Sequence, residues 1–289
     1  MFKKSMSSNF RACNYIATRR YSSRSLACLG TLFVLTAASQ AAGGTLCVNP
    51  GGTGGCLSTI GAAVTAALPG DTINVAKGTY AEQVVITKAL ALLSLDNNHT
   101  IIDATGKGNG IFINGMAAAP NTGVSDVVIS GFNIKNANFE GILAANASNI
   151  TIVDNQVANN SKALDIADFM CPGIPSFETN EGEDCGEGIH LMAVHHSSVV
   201  YNTVERNSGG ILITDETGPN HDNLISGNTV RDNPYDGGIT IASHGRGTSI
   251  VPPGLPYGIT TTTISGTLST PTGHLFPGPG AGSEYLRPL

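Results

Sequence analysis

An all-β solenoid is the fold class this sequence predicts, on three observations. The first is a repeated tripeptide. Phe132-Asn133-Ile134, Asn155-Gln156-Val157, Asn202-Thr203-Val204 and Asn228-Thr229-Val230 align, with first residues 23, 47 and 26 apart; 47 reads as two turns of about 23. Three residues beyond each Ile or Val stand Ala137, Asn160, Asn207 and Asn233. The second is a Gly-Ile register: Gly141-Ile142, Ala163-Leu164, Gly188-Ile189, Gly210-Ile211 and Gly238-Ile239, at gaps of 22, 25, 22 and 28. The third is composition. Charged residues are 12% of the chain, Trp is absent and there are 36 glycines, against about 25% charged in typical soluble domains.

Strands this short cannot bury their own apolar side, so successive repeats must stack on one another. Stacked strands lie ~4.7–4.9 Å apart, which places like residues in columns. Asn155, Asn202 and Asn228 are expected to form one structural ladder, and Asn160, Asn207 and Asn233 a second, amide bonding to amide from rung to rung. Leucine-rich repeats share the period but need several leucines in a fixed frame, and here Ile, Val, Gly and Asn dominate.

Taken in order, residues 1–42 read as a signal peptide. Six bases, Lys3, Lys4, Arg11, Arg19, Arg20 and Arg24, precede or flank the apolar run Leu26–Ala38, and small residues follow. At 13 residues that run is short against the ~20 needed to cross a bilayer, so no membrane span is expected in the mature chain. Export implies a secreted, periplasmic or cell-surface location. Removing the six leader bases from 15 leaves 9 against 21 acids, a net charge near −12; a nucleic-acid partner would need the opposite sign. Cys47, Cys56, Cys171 and Cys185 remain, and pair locally as Cys47–Cys56 and Cys171–Cys185 in an oxidising compartment. Residues 43–70 read as an N-terminal cap, with Ser58-Thr59 ahead of a short helix from Ile60 and a Pro-Gly stop. Such a helix closes the open end of a strand stack. Residues 71–243 carry the strands. Residues 168–186, with two prolines, two cysteines and several acids, read as a loop insertion, and 244–289 as an irregular segment with one degenerate coil at Ile264-Ser265-Gly266-Thr267-Leu268.

The phrase Gly70-Asp71-Thr72-Ile73-Asn74-Val75-Ala76-Lys77-Gly78-Thr79-Tyr80, followed by Glu82-Gln83-Val84-Val85-Ile86, resembles the first coil of many exported β-helix proteins. With the repeats above, the chain resembles the right-handed parallel β-helix of the pectin-lyase-like superfamily over residues 71–243. The resemblance implies three sheets behind an N-terminal capping helix, and an outer face that binds or acts on a polysaccharide, as uronate-glycan lyase, hydrolase or epimerase. A non-catalytic binding or structural solenoid is the alternative.

Candidate chemistry follows from period-two alternation. With Ile142, Leu164, Ile189, Ile211 and Ile239 inward, Leu143, Asp165, His190, Leu212 and Thr240 turn outward, and Asp165 falls one rung from His190. An Asp beside a His orients the imidazole for proton transfer. Asp168 and Asp215 fall near strand ends on the same sheet, giving the catalytic set Asp165, His190, Asp168 and Asp215, with ordinary solvated surface as the rival reading. Among the loop acids, Glu181, Glu183, Asp184 and Glu187 are candidate Ca²⁺ ligands. His190, Met192, His195 and His196 admit a copper reading, and the resemblance extends to periplasmic copper-accessory proteins of this fold. Arg206 and Arg231 are one rung apart, but Glu205 and Asp232 beside them point to local ion pairs. Tyr201, His195 and Lys162 are the residue types of an epimerase, with nothing to place them in one cleft. The polygalacturonase motifs (Asn-x-Asp, Asp-Asp and Gly-His-Gly) are absent.

Overall fold

The computed structural model describes residues 43–97, 99–117, 123–168, 170–181, 185–243 and 258–269. The expected leader and most of the tail lie outside these residues. Every strand pairing within them is parallel, and the strands form three faces of one stack. The first face runs Val84–Ile86, Ile111–Asn114, the start of Ile142–Val153, Glu187–His195, Gly209–Thr214 and Ile239–Ala242. The second runs Thr45–Val48, Asp71–Val75, Leu90–Ser94, Val124–Ser130, the end of Ile142–Val153, Ser198–Val200, Leu224–Ser226 and Thr263–Ser265. The third runs Gly78–Tyr80, Thr100–Asp103, Asn133–Lys135, Gln156–Ala158, Thr203–Glu205, Thr229–Arg231 and Leu268–Ser269. Ile142–Val153 serves two faces because it bends where Asn146 and Asn149 take positive φ, 51° and 52°, a conformation Asn tolerates better than most residues.

Apolar side chains of all three faces meet in one continuous core. Ile129, Ile152, Val199 and Ile225 form one file within it, each at most 1% exposed. A packed file cannot collapse around a gap, so Ile152→Ala is expected to lower unfolding stability by about 2–5 kcal/mol, measured by urea denaturation. The helix Ile60–Ala66 buries Ile60, Ala63 and Val64 on this core. Thr59 caps it, accepting from Ala62 N at 3.2 Å, and the Glu82 carboxylate accepts from Ile60 N and Gly61 N, each at 2.8 Å. A carboxylate at those first-turn N–H groups also complements the helix dipole.

Both asparagine columns stand in file. Asn155 Nδ2 donates to Asn202 Oδ1 and Asn202 Nδ2 to Asn228 Oδ1, each at 3.0 Å. Asn160 donates to Asn207 at 3.0 Å and Asn207 to Asn233 at 3.3 Å. Each Oδ1 of the two columns also takes the backbone N–H of the residue one rung back: Phe132, Asn155 and Asn202 donate to Asn155, Asn202 and Asn228, and Ala137, Asn160 and Asn207 to Asn160, Asn207 and Asn233. A third corner, not read from the sequence, uses Ser197 and Asn223, with Ser197 N donating to Asn223 Oδ1 at 3.0 Å. The echo after residue 258 is a true rung, and Thr267 Oγ1 stands in the asparagine column, accepting from Asn228 N at 3.4 Å.

Two expectations are corrected by the register. The 47-residue interval is one turn, not two: Ile142 pairs directly with Ile189, and Asn155 bonds directly to Asn202. Ala163-Leu164 is therefore no rung. The strand ends at Ala158 and the chain leaves the stack after Asn160, earlier than residue 168, re-entering at Glu187. An apolar pair at the right spacing was misleading because its partners lie within the excursion. Ala163 and Leu164 pack on Phe139, Ile174 and the Cys171–Cys185 disulfide. The second disulfide, Cys47–Cys56, ties the cap.

Candidate functional site

The excursion roofs the outer side of the first face. Phe177, in the short 3-10 segment Ser176–Glu181, stacks on Phe112 with ring centroids 6.1 Å apart. Beneath lie Leu143, Ala145 and Met192, fully buried although their side chains point away from the solenoid core. His190 shares that outward column, in register with Leu143 on one side and Leu212 on the other. Period-two alternation gives its direction correctly, but it meets the roof instead of water and is 0% exposed.

Two glutamates converge with it. Glu140 and Glu187 precede the paired glycines Gly141 and Gly188 and sit on successive rungs, each 1% exposed. One ligand atom from each of Glu140, Glu187 and His190 lies within 4.8 Å of the others. His190 Nδ1 is 3.9 Å from Glu187 Oε2, and Nε2 is 2.9 Å from Thr214 Oγ1. The Asn109 amide, turned with nitrogen toward Glu140, reaches Oε2 at 2.7 Å. Gly209 follows in the column, where a Cβ would lie 3.0 Å from both Glu187 Cγ and Asp236 Cβ. Gly209 thus leaves room for two acidic side chains to approach one space.

The expected catalytic residues are not brought together. Asp165 is exposed, bridges Met170 within the excursion and accepts from Ala167 N at 2.9 Å. It was displaced from the His190 column by the same miscounted turn. Asp168 is exposed on the excursion as well. Asp215 is buried and accepts from Ser243 Oγ at 3.1 Å. Of the candidate Ca²⁺ ligands, Glu183 and Asp184 and the side chain of Glu181 lie outside the described residues. Glu187 belongs to a set of two carboxylates and an imidazole. Ca²⁺ takes six to eight oxygens, more than those two carboxylates supply by themselves. The expected copper set also divides: His190 and Met192 lie under the roof, whereas His195 and His196 stand at the far end of the strand beside His221. There partial burial, then the neighbouring His221 and His196 rings, hold the His195 pKa below the usual imidazole value.

Sequence reasoning missed Glu140, Thr214 and Asp236. The signal was present, since Glu-Gly-Ile occurs at Glu140-Gly141-Ile142 and again at Glu187-Gly188-Ile189. It becomes visible only when 47 residues are counted as one turn.

Next to this buried cluster, an open groove of about 400 Å³ follows the corner between the third and first faces. Lys162, Arg206, Leu164, Ile166, Pro234 and Tyr235 line it, with Asp232 the one acid among its lining residues. Tyr235 N and Asp236 N both donate to Ser208 O, at 3.0 and 3.2 Å, which joins the groove wall to the acid cluster. Arg206 is held by Glu205, and Arg231 one rung on grips the same buried carboxylate.

Residues 91–252, more than half the sequence, match the family described as "Right handed beta helix region". The chain belongs to that family. This protein has the right-handed parallel β-helix architecture its sequence predicts. It is similar to an alginate lyase from Paenibacillus sp. str. FPU-7, at 13% identity and a TM-score of 0.46 over 72% of each chain. It is similar to ORF18 of Geobacillus virus E2, at 14% and 0.47 over 73% of this chain and 44% of that one. Pectate lyase Pel9A follows at 12% and 0.38, over 78% and 79%. Likeness this distant says nothing of activity. No curated protein matches the sequence. Among the described residues of this β-helix protein no helix is long and apolar enough to cross a membrane.

Proposed function

We propose that this β-helix protein is an exported module that binds an acidic, uronate-bearing polysaccharide along the Lys162–Arg206–Tyr235 groove. The observation that carries this reading is the groove's composition on a chain that is otherwise acidic. An ammonium and a guanidinium, against the single carboxylate of Asp232, flank an aromatic ring and the apolar side chains of Leu164, Ile166 and Pro234. Guanidinium pairs with carboxylates in a fixed, often bidentate geometry, and an aromatic ring presents a flat apolar face with a polar tip. Glu205 sets the direction of Arg206, because the same carboxylate is clamped from the next rung by Arg231. The disulfides support export, since such bridges persist in oxidising compartments. Open access distinguishes this groove from the Glu140–Glu187–His190 cluster, which is closed to solvent.

Binding is expected for oligogalacturonate or oligoalginate and not for a neutral glucan of equal length, by calorimetry on the full chain. Lys162→Ala with Arg206→Ala is expected to weaken it at least about tenfold, the size of one or two lost charged hydrogen bonds. Equal affinity for the neutral glucan, or an unchanged double variant, sinks the proposal.

A further inference from the structure

We infer that the corner formed by His195, His196, His221 and Asp222 binds a divalent transition ion that prefers nitrogen donors, Zn²⁺ or Cu²⁺. The site is a two-by-two array made by the stacking itself. His195 is paired in register with His221 on the next rung, and the following residues, His196 and Asp222, both turn the corner with positive φ, 54° and 55°. The His195 and His221 rings stack with centroids 4.8 Å apart and planes at 6°. His196 stands edge-on to the His221 ring at 5.4 Å.

Three ligand atoms already converge. His196 Nε2 is 3.5 Å from Asp222 Oδ2, and His221 Nδ1 is 2.8 Å from the same oxygen. Ligands at ~2.0–2.1 Å around a tetrahedral ion lie roughly 3.3 Å apart, so small side-chain rotations bring all three into a coordination sphere. Two imidazoles and one carboxylate suit Zn²⁺ or Cu²⁺ and not the oxygen-seeking Ca²⁺ or Mg²⁺. Three protein ligands leave a position for water, as in open zinc sites. The side chains of His196 and Asp222 are 61% and 45% exposed, so an ion enters directly from solvent.

His195 is a positioning residue for this site. Its Nδ1 lies 2.8 Å from His196 Nδ1, a separation that requires one nitrogen to donate and the other to accept. When His196 Nδ1–H donates, its Nε2 carries the lone pair that faces Asp222, the tautomer a metal needs. The backbone beneath is fixed: His196 N donates to His221 O at 3.1 Å, Asp222 N to Thr261 Oγ1 at 3.1 Å, and Asn223 Nδ2 to Val194 O at 2.8 Å. In the same columns, Ser125-Asp126, Ser148-Asn149 and Thr260-Thr261 occupy the other rungs. The imidazoles are thus confined to two adjacent rungs of a repeated corner.

Calorimetric titration of the full chain with Zn²⁺, beside a Ca²⁺ control, is expected to show one Zn²⁺ per chain and no Ca²⁺ competition. Cu²⁺ bound in its place is expected to give nitrogen hyperfine structure by electron paramagnetic resonance. His196→Ala, His221→Ala and Asp222→Asn are each expected to weaken Zn²⁺ at least about tenfold. His195→Ala is expected to weaken it about 10–100-fold, the usual penalty for losing a ligand's hydrogen-bond partner. His195→Asn, whose Oδ1 replaces the accepting nitrogen, is expected to restore most of that loss. Absence of saturable Zn²⁺ binding, or binding unchanged in His196→Ala with His221→Ala, overturns the inference. Both variants are on the surface, and an unchanged circular dichroism spectrum separates loss of metal from loss of fold.

Discussion

Asn202→Ala is expected to cost about 3–6 kcal/mol of unfolding stability, more than truncating a core aliphatic. Asn202 is 1% exposed and works in three directions at once. Its Oδ1 accepts from Asn155 N and Asn155 Nδ2, both at 3.0 Å. Its Nδ2 donates to Ile152 O at 2.9 Å on the preceding rung, to Val200 O at 3.1 Å on its own, and to Asn228 Oδ1 at 3.0 Å on the next. Alanine removes all of these. Each buried group left without a partner costs roughly 1–3 kcal/mol, and the Asn155 N–H has no second acceptor among the bonds described here. Urea denaturation followed by circular dichroism checks the size. Asn133, which sits half-buried on the outer side of the third face and bonds Gln156 at 3.2 Å, is the matched control: Asn133→Ala is expected to stay within about 0.5 kcal/mol of the parent. If both substitutions cost the same, the ladder does not hold the rungs together.

Fold and site were legible in the sequence to different depths, for a physical reason. Stacking forces one position in each turn to repeat, so Asn202 and Asn228, or Gly188 and Gly210, repeat in the sequence as they do in space. Such signals survive even a miscounted turn. A functional side chain has no such copy. His190 stands between Leu143 and Leu212 in its column, so periodicity gives its direction but not its company. Its environment is decided by the excursion, where Phe177 and Glu178 fold down over the face. Nothing periodic announces that packing. Reading Ala163-Leu164 as a rung then moved Asp165 beside His190 and hid Glu140, whose true partner is Glu187. His221 and Asp222 are hidden for a different reason: they lie 26 residues from His195 and His196, one turn on, and meet them across a corner, which ligand spacing along a strand does not show.

Gly210→Ala is expected to cost more than about 4 kcal/mol, in the exceptional class for a single substitution, and to reduce the yield of folded protein sharply. Gly210 needs no unusual φ; what it needs is the absence of a Cβ. An added methyl carbon would lie 2.0 Å from Gly238 O and 2.4 Å from Val230 Cγ1. Gly238 O is itself engaged, accepting from Ile211 N at 2.9 Å, so it cannot retreat without opening the ladder. Val230 is 0% exposed within the core and has nowhere to turn. Gly188 and Gly141 repeat the arrangement with Val204 and Val157, whose Cγ1 atoms would be 2.1 and 2.2 Å away. At Gly141, Gly188 and Gly210 the first face is therefore drawn close to the third, and the narrow core depends on it. Gly237 provides the contrast. It takes φ of +81° and nothing lies within 4 Å of its missing Cβ, so Gly237→Ala is expected to cost only the left-handed penalty, about 1–2 kcal/mol. A larger loss at Gly237 than at Gly210, in parallel urea titrations, would mean that backbone conformation and not close approach sets the width of the solenoid.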